Sequence, residues 1–248
     1  KKDQKFYNPN RPIILGHRGS PTQITENTIL SFEKALEQGV DGLEFDVRLT
    51  KDKKVVIFHD KSLSRMGGSS IKIKDIRYAE LQKRLLKKQK QQEKTAKIPR
   101  LKDIEPLIQK TSLINIEIKS ENIKEGMNIT SPIIDFIDKN QINDRCIVSC
   151  FNPLVLLKIK WEAAYINIGF LYNRNVFFHG IFNLFWILLC RPDNLHIHYD
   201  FLNSWIVKWA KHKRLHINSY TINSKKIYEE AKNLKIDGIF TDNIEYLK

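Results

Sequence analysis

Cysteine is scarce: there are three in 248 residues, and two of them, Cys146 and Cys150, share one strand-like run from Arg145 to Phe151. Residues four apart on a strand are too distant to bridge, so a disulfide framework is excluded. Cys146, Cys150 and Cys190 read as buried thiols, and redox chemistry leaves the compartment open. Long apolar runs are also lacking. The best, Val176 to Cys190, contains His179 and Asn183 and falls short of the roughly 20 residues that span a bilayer. It reads as a helix of the fold or as an apolar lip that meets lipid or an acyl chain, with Phe177, Phe178, Phe182, Phe185 and Trp186 as its large aromatics. Acidic residues are outnumbered, 28 against 42 Lys and Arg, for a formal charge of +14. Such a balance draws anionic substrates, anionic lipid surfaces or nucleic acid and is silent about fold. Zinc-finger spacing, an RNP-like aromatic motif and a glycine-rich phosphate loop are all missing, so nucleic acid is not the expected partner. Solenoid repeats are missing too. The start, Lys1-Lys2-Asp3, has no initiator methionine and no targeting segment, which leaves cytoplasm and a membrane surface both open.

What is present is concentrated near the start. His17-Arg18-Gly19 is followed by Glu44-Phe45-Asp46 and by His59-Asp60, a set able to bind a metal and a phosphate, protonate a leaving group and deprotonate a nucleophile. The run Leu43 to Leu49 alternates apolar and polar residues, the period of a strand, so Glu44 and Asp46 share a face. Lys54 to His59 is a second strand-like run after a loop of hairpin length, Thr50 to Lys53. If Leu49 faces Lys54, His59 lies opposite Glu44; a turn two residues tighter puts it opposite Asp46. Either register gathers the three side chains on one face, and a one-residue slip breaks that reading. Leu113 to Lys119 alternates in the same way and adds Glu117 and Lys119. Glu44, Asp46 and Glu117 make an all-oxygen set suited to one divalent metal ion, Mg²⁺ or Ca²⁺, whereas zinc draws more on His and Cys. A merely solvated acidic strand would not need Phe, Ile and Val at every other position.

Taken in order, these pieces resemble the glycerophosphodiester phosphodiesterase family. The matching motifs are Gly16-His17-Arg18-Gly19 with Glu26-Asn27-Thr28, Asp41 to Val47 with Leu49 to Asp52, and Val56 to Asp60. Further along come Ile98 to Leu101, Glu117-Ile118-Lys119, Ser149-Cys150-Phe151, Tyr220 to Asn223 and Asp237 to Asp242. The departures are Thr25 for a proline, Lys53 for a turn glycine, Cys150 for a small polar residue and Tyr220 for a tryptophan. None removes a metal ligand or an acid-base group. Tyr220 falls where the family's substrate lines the barrel mouth, so it bears on substrate preference. The resemblance implies His17 and His59 as the acid-base pair, in an order the sequence does not assign, and Arg18 and Lys119 as the groups that stabilise phosphoryl charge. It also implies attack by a substrate hydroxyl to give a cyclic phosphate that water opens.

The expected fold is an α/β TIM (β/α)8 barrel, a single domain over residues 1–248 with a β-hairpin excursion after strand 2 and a small basic insertion. Strands are expected at 13–16, 42–49 with its hairpin return, 113–119, 145–149, 165–171, 195–199, 215–222 and 238–241. A helix is expected from Thr28 to Gln38, opened by Asn27 as N-cap and closed by Gly39. The insertion, within the cationic run from Lys83 to Lys102, has few apolar residues and reads as a solvated helix or loop, or as an element beside a phospholipid membrane. His196 and His198 have two-ligand spacing but read as structural or mouth-lining; His212 and His216 read as solvated. Three functions follow in order. The first is metal-dependent hydrolysis of a glycerophosphodiester to an alcohol and sn-glycerol 3-phosphate. The second is a lysophospholipase D or sphingomyelinase D-like reaction on a lysophospholipid or related lipid, with peripheral contact to an anionic membrane. The third is a catalytically silent phosphate- or lipid-binding protein. Oligomeric state is not legible.

Overall fold

The computed structural model describes residues 4–84, 96–172 and 179–247. In chain order the elements are β1 (Ile13–His17), α1 (Ile29–Glu37), β2 (Gly42–Leu49), β3 (Val55–Ile57), α2 (Ser64–Gly67), α3 (Tyr78–Leu81) and α4 (Glu105–Ile108). There follow β4 (Leu113–Ile118), α5 (Ile123–Asn140), β5 (Cys146–Cys150), α6 (Pro153–Glu162), β6 (Asn167–Tyr172) and α7 (His179–Cys190). The chain ends with β7 (Asn194–His198), α8 (Ser204–His212), β8 (His216–Tyr220), α9 (Lys225–Asn233) and β9 (Gly238–Thr241).

Every strand except β3 joins a parallel ladder in the order β1-β9-β8-β7-β6-β5-β4-β2, and β2 pairs back to β1, which closes the barrel. The outer ring is uneven. Where a full helix would follow β2, the hairpin strand β3 and the short α2 and α3 pack on a satellite core of Val56, Phe58, Leu63, Met66, Ile73 and Leu81. A 3-10 turn, Leu101–Ile104, runs into the four-residue α4, and the two return the chain to β4.

Alternation along each strand sorts the side chains. Leu43, Phe45 and Val47 of β2 face the helices and join the main core, while Glu44 and Asp46 face the lumen. Ile13, Leu15, Leu113, Ile147 and Phe240 fill the lower lumen. Below them Tyr7 plugs the floor, with its hydroxyl 2.7 Å from Asn194 Oδ1 and 3.0 Å from Asn218 Oδ1. Polar lumen residues higher up therefore have nowhere to go but the C-terminal mouth, where barrel sites are built.

Two local readings are corrected. Thr28, not Asn27, caps α1, its hydroxyl accepting from the Ser31 amide; Asn27 instead adopts a left-handed φ of 56°, a conformation asparagine tolerates better than most residues. Gly39 closes the helix with φ 82°, as expected. The hairpin register is also one residue off both expected alternatives: Leu49 pairs with Val55 and Val47 with Ile57. Lys53 supplies the left-handed turn residue, φ 57°, at the position of the missing glycine, so five residues rather than four separate the paired strands. Most of the expected basic insertion, and Val176 to Phe178, lie outside the described residues.

Candidate active site

His17 ends β1, Glu44 and Asp46 project from β2, and Glu117 with Lys119 leaves the end of β4. Parallel register aligns them: His17 pairs with Glu44 and Asp46 with Glu117. His59 arrives by a different route. Strand β1 pairs with β2 only through Glu44, and β3 takes over near the mouth at Val47. The Phe58 amide donates to the Asp46 carbonyl at 2.9 Å, after which the chain leaves the ladder. A continued ladder would turn His59 to the wrong face; leaving it lets the imidazole come close enough to feel Asp46, Arg18 and Lys119.

The three carboxylates are buried and each offers an oxygen within 4.8 Å of the others. Glu44 Oε2 is held by the Arg18 amide at 2.8 Å, and Asp46 Oδ2 by the Asn27 side-chain amide at 2.9 Å. The second oxygens, Glu44 Oε1, Asp46 Oδ1 and Glu117 Oε1, have no aligned hydrogen-bond donor, although Lys119 Nζ forms ion pairs with Glu117 and, at 3.3 Å, with Asp46. Burial and the neighbouring Asp46 push the Glu44 carboxyl up to about 8. Burial would raise Asp46 too, but Lys119 and Arg18 prevail and hold it well below the usual carboxylate range. Three carboxyls buried this close together are costly to ionise at once, and an oxygen-only set of this kind fits a hard divalent cation.

Both histidines are oriented through Nδ1. His17 Nδ1 lies 2.6 Å from Asp242 Oδ1 and His59 Nδ1 lies 2.7 Å from Asp60 Oδ1. A carboxylate at Nδ1 leaves Nε2 for chemistry. Burial lowers the pKa of His17, but Glu44 and Asp242 outweigh it and the net shift is upward; for His59 burial wins over Asp46 and the shift is downward. The His59–Asp60 dyad is tied to Arg18 from behind. Arg65 donates to Asp60 at 2.7 Å and to Glu26 at 2.6 Å, and Glu26 accepts from Arg18 at 2.9 Å.

Arg18 sits at φ 57°, a strained conformation outside glycine, held because its amide reaches both the Glu44 carbonyl, at 3.1 Å, and the Glu44 side chain. Its Nε lies 3.3 Å from Asp46 Oδ2. Gly19 follows at φ 89°, and a Cβ there would meet Ser31 Oγ at 2.4 Å.

All eight expected site residues thus meet at one mouth; Tyr220 lines its floor with His17, Glu44, Asn115, Glu117 and His196. His196 is buried against Phe240 with Nε2 unpartnered, and burial pulls its pKa down to about 3. His198 stands at the edge, 3.3 Å from Asp200. Sequence reasoning missed Asp242, Glu26 and Arg65. The signal for Asp242 was barrel closure itself, since β9 pairs with β1 and the residue after β9 must lie beside His17.

Histidines oriented by aspartates, fixed cations and clustered carboxylates at the mouth of a parallel barrel suit an enzyme that breaks phosphoric diesters. More narrowly, the chain belongs to the glycerophosphoryl diester phosphodiesterase family, whose model matches residues 17–246. It is 33% identical over 242 residues to a glycerophosphodiester phosphodiesterase of Caldanaerobacter subterraneus subsp. tengcongensis, covering 96% of each chain. Among solved structures it resembles a glycerophosphodiester phosphodiesterase of Thermotoga maritima, at 29% identity and TM-score 0.76 over 96% of this chain and 97% of that one. It shares its fold with a phosphodiesterase of Oleispira antarctica in complex with the product sn-glycerol-3-phosphate, at 24% identity and TM-score 0.82 over 96% of each.

Proposed function

We propose that this chain acts as one catalytic barrel that hydrolyses glycerophosphodiesters to an alcohol and sn-glycerol 3-phosphate with the help of a divalent metal ion, Mg²⁺ or Ca²⁺. The observation that carries the reading is the cluster of three buried carboxylates, Glu44, Asp46 and Glu117, whose oxygens lie within 4.8 Å of one another with Glu44 Oε1 lacking a donor, next to two histidines oriented by aspartates. The product bound in the Oleispira antarctica structure is the one this reading requires.

Glu44, Asp46 and Glu117 would hold the cation, which supplies Lewis-acid polarisation of a non-bridging phosphate oxygen. Arg18, fixed by Glu26, and Lys119, fixed by Glu117, keep positive charge where the phosphoryl group gains negative charge. His17 and His59 move protons at Nε2, one taking the proton of the attacking substrate hydroxyl and the other giving one to the departing alkoxide; water then opens the resulting cyclic phosphate with the two roles reversed, which leaves sn-glycerol 3-phosphate. Tyr220 bounds the pocket floor and limits the group that can enter.

The test compares turnover of glycerophosphocholine, glycerophosphoethanolamine and a lysophospholipid, with phosphorus NMR of the products, before and after divalent cations are stripped. Release of sn-glycerol 3-phosphate that stops on stripping and returns with Mg²⁺ or Ca²⁺ is expected. Full activity in excess chelator overturns the metal reading. Preference for the lysophospholipid moves the substrate to a lipid, and no turnover of any of the three leaves a binding protein.

A further inference from the structure

Helix α7 carries no charged side chain. A helix apolar all round is normally buried on all sides, yet this one covers the barrel with Ile187 and turns Leu184, Phe185, Leu188 and Leu189 outward, with Phe185 54% exposed. Its neighbours extend the same character: Trp205 of α8 is 72% exposed and Trp161 of α6 is 89% exposed. All four tryptophans of the chain, Trp161, Trp186, Trp205 and Trp209, fall on these three consecutive helices. Between α7 and α8 opens an apolar cleft of about 150 Å³ lined by Leu184, Trp205 and Trp209.

We propose that the α6–α8 flank is a docking surface for an anionic phospholipid membrane, which lies against it peripherally. The occupant is indicated by charge. Glu162, at 3.6 Å from Lys158, is the one acidic residue in α6, α7 and α8, whereas Lys208 and Lys211 stand exposed on α8. At the foot of the flank Arg191, Lys213 and Arg214 border the same depression as Leu188; Asp193, also there, is turned to the Ile168 amide at 3.0 Å. An apolar centre with tryptophans and a basic rim complements the interface of an anionic leaflet. A second copy of this chain would instead press the basic rim, on a molecule of charge +14, against itself. Among the described residues no helix is long and apolar enough to cross a membrane, which fits contact rather than insertion. The surface is separate from the catalytic groups, so it stands or falls independently of the reaction proposed above.

The test is co-sedimentation of the intact chain with phosphatidylcholine vesicles that contain or lack phosphatidylserine, read beside tryptophan fluorescence with brominated lipid as quencher. Binding to the anionic vesicles alone, weakened by salt, with quenching of the tryptophans, is expected. Phe185→Ser with Leu189→Ser should weaken binding at least tenfold, and Lys208→Glu with Lys211→Glu should do likewise, while turnover of soluble glycerophosphocholine stays unchanged. The quenching measurement uses the unsubstituted protein and so decides the matter even if a variant fails to fold. Absence of binding, or binding without quenching, overturns the proposal. So does a dimer in sedimentation velocity that dissolves with Phe185→Ser, since a second copy then covers the flank.

Discussion

Asp242→Asn is the most informative perturbation, because the surroundings dictate which way the new amide must point. Asn223 is fixed by accepting from the Asp242 backbone amide at 2.8 Å, and its own side-chain amide donates to Asp242 Oδ2 at 2.9 Å. The substituted side chain must therefore offer its oxygen to Asn223 and turn its NH₂ toward His17 Nδ1, which lies 2.6 Å from Asp242 Oδ1 in the native chain. A donor there forces neutral His17 to carry its proton on Nε2, the opposite tautomer from the native one. Loss of a correctly oriented acid-base group costs about 10²- to 10⁴-fold, so kcat for glycerophosphocholine should fall by that range with the fold intact. Asp242→Ala removes the partner without imposing the wrong tautomer and should be no worse. In a His17→Ala background Asp242→Asn should cost nothing further, because the two act as one unit. Near-native kcat for Asp242→Asn, or additive losses in the double variant, would refute the assignment; ¹⁵N chemical shifts of the His17 ring read the tautomer directly.

His17→Ala and His59→Ala should each lower kcat by about 10²- to 10⁴-fold, while His198→Ala, at the rim, should change it little; steady-state kinetics separate these. Gly19→Ala must adopt φ 89° with a Cβ 2.4 Å from Ser31 Oγ, so urea denaturation should show a loss above about 1 kcal/mol. Tyr7→Phe leaves Asn194 and Asn218 short of a partner at the barrel floor, costing about 1–3 kcal/mol and leaving kcat unchanged below the transition. Loss of activity without loss of stability would contradict its placement far from the mouth.

The strands were legible because lumen and helix faces alternate: Leu43, Phe45 and Val47 against Glu44 and Asp46 state their faces in the sequence itself. The clustering of His17, Glu44, Asp46, Glu117 and Lys119 followed, since strand ends of a parallel barrel converge. What the sequence concealed was set by tertiary partners. Asn27 and Thr28 are both good caps, and only the demand for a donor at Asp46 Oδ2 diverts Asn27 into a left-handed turn. The hairpin register was misread because Lys53 does the work of a glycine, and His59 reached the site anyway since β3 stops at Ile57. Asp242 is 225 positions from His17, a distance closed only by the β1–β9 ladder. Glu26 belongs to the motif Glu26-Asn27-Thr28, but nothing local tells that it holds Arg18, or that Arg65 holds Asp60.

If Glu44, Asp46 and Glu117 receive a cation as proposed, the site carries a stability cost when the cation is absent, and Glu44 is where that cost can be measured. Its carboxyl is buried, Oε1 has no donor, and oxygens of Asp46 and Glu117 lie within 4.8 Å. Glu44→Gln keeps an oxygen for the Arg18 amide and places an NH₂ donor where Oε1 stood, facing those oxygens. The substitution removes a carboxyl that is costly to ionise there and gives the others a partner, so the metal-free protein should become more stable by about 1–3 kcal/mol. At this size that is a rise in Tm of roughly 2–4 °C per kcal/mol. On the proposed reading the same change removes a ligand, so the Tm increase expected of the native chain with Mg²⁺ or Ca²⁺ by mass action should shrink or vanish, and kcat should fall by orders of magnitude. Differential scanning calorimetry with and without metal reads both effects. A Glu44→Gln protein that is less stable without metal, yet gains as much Tm on adding it as the native chain, would show that Glu44 supports the barrel rather than the cation.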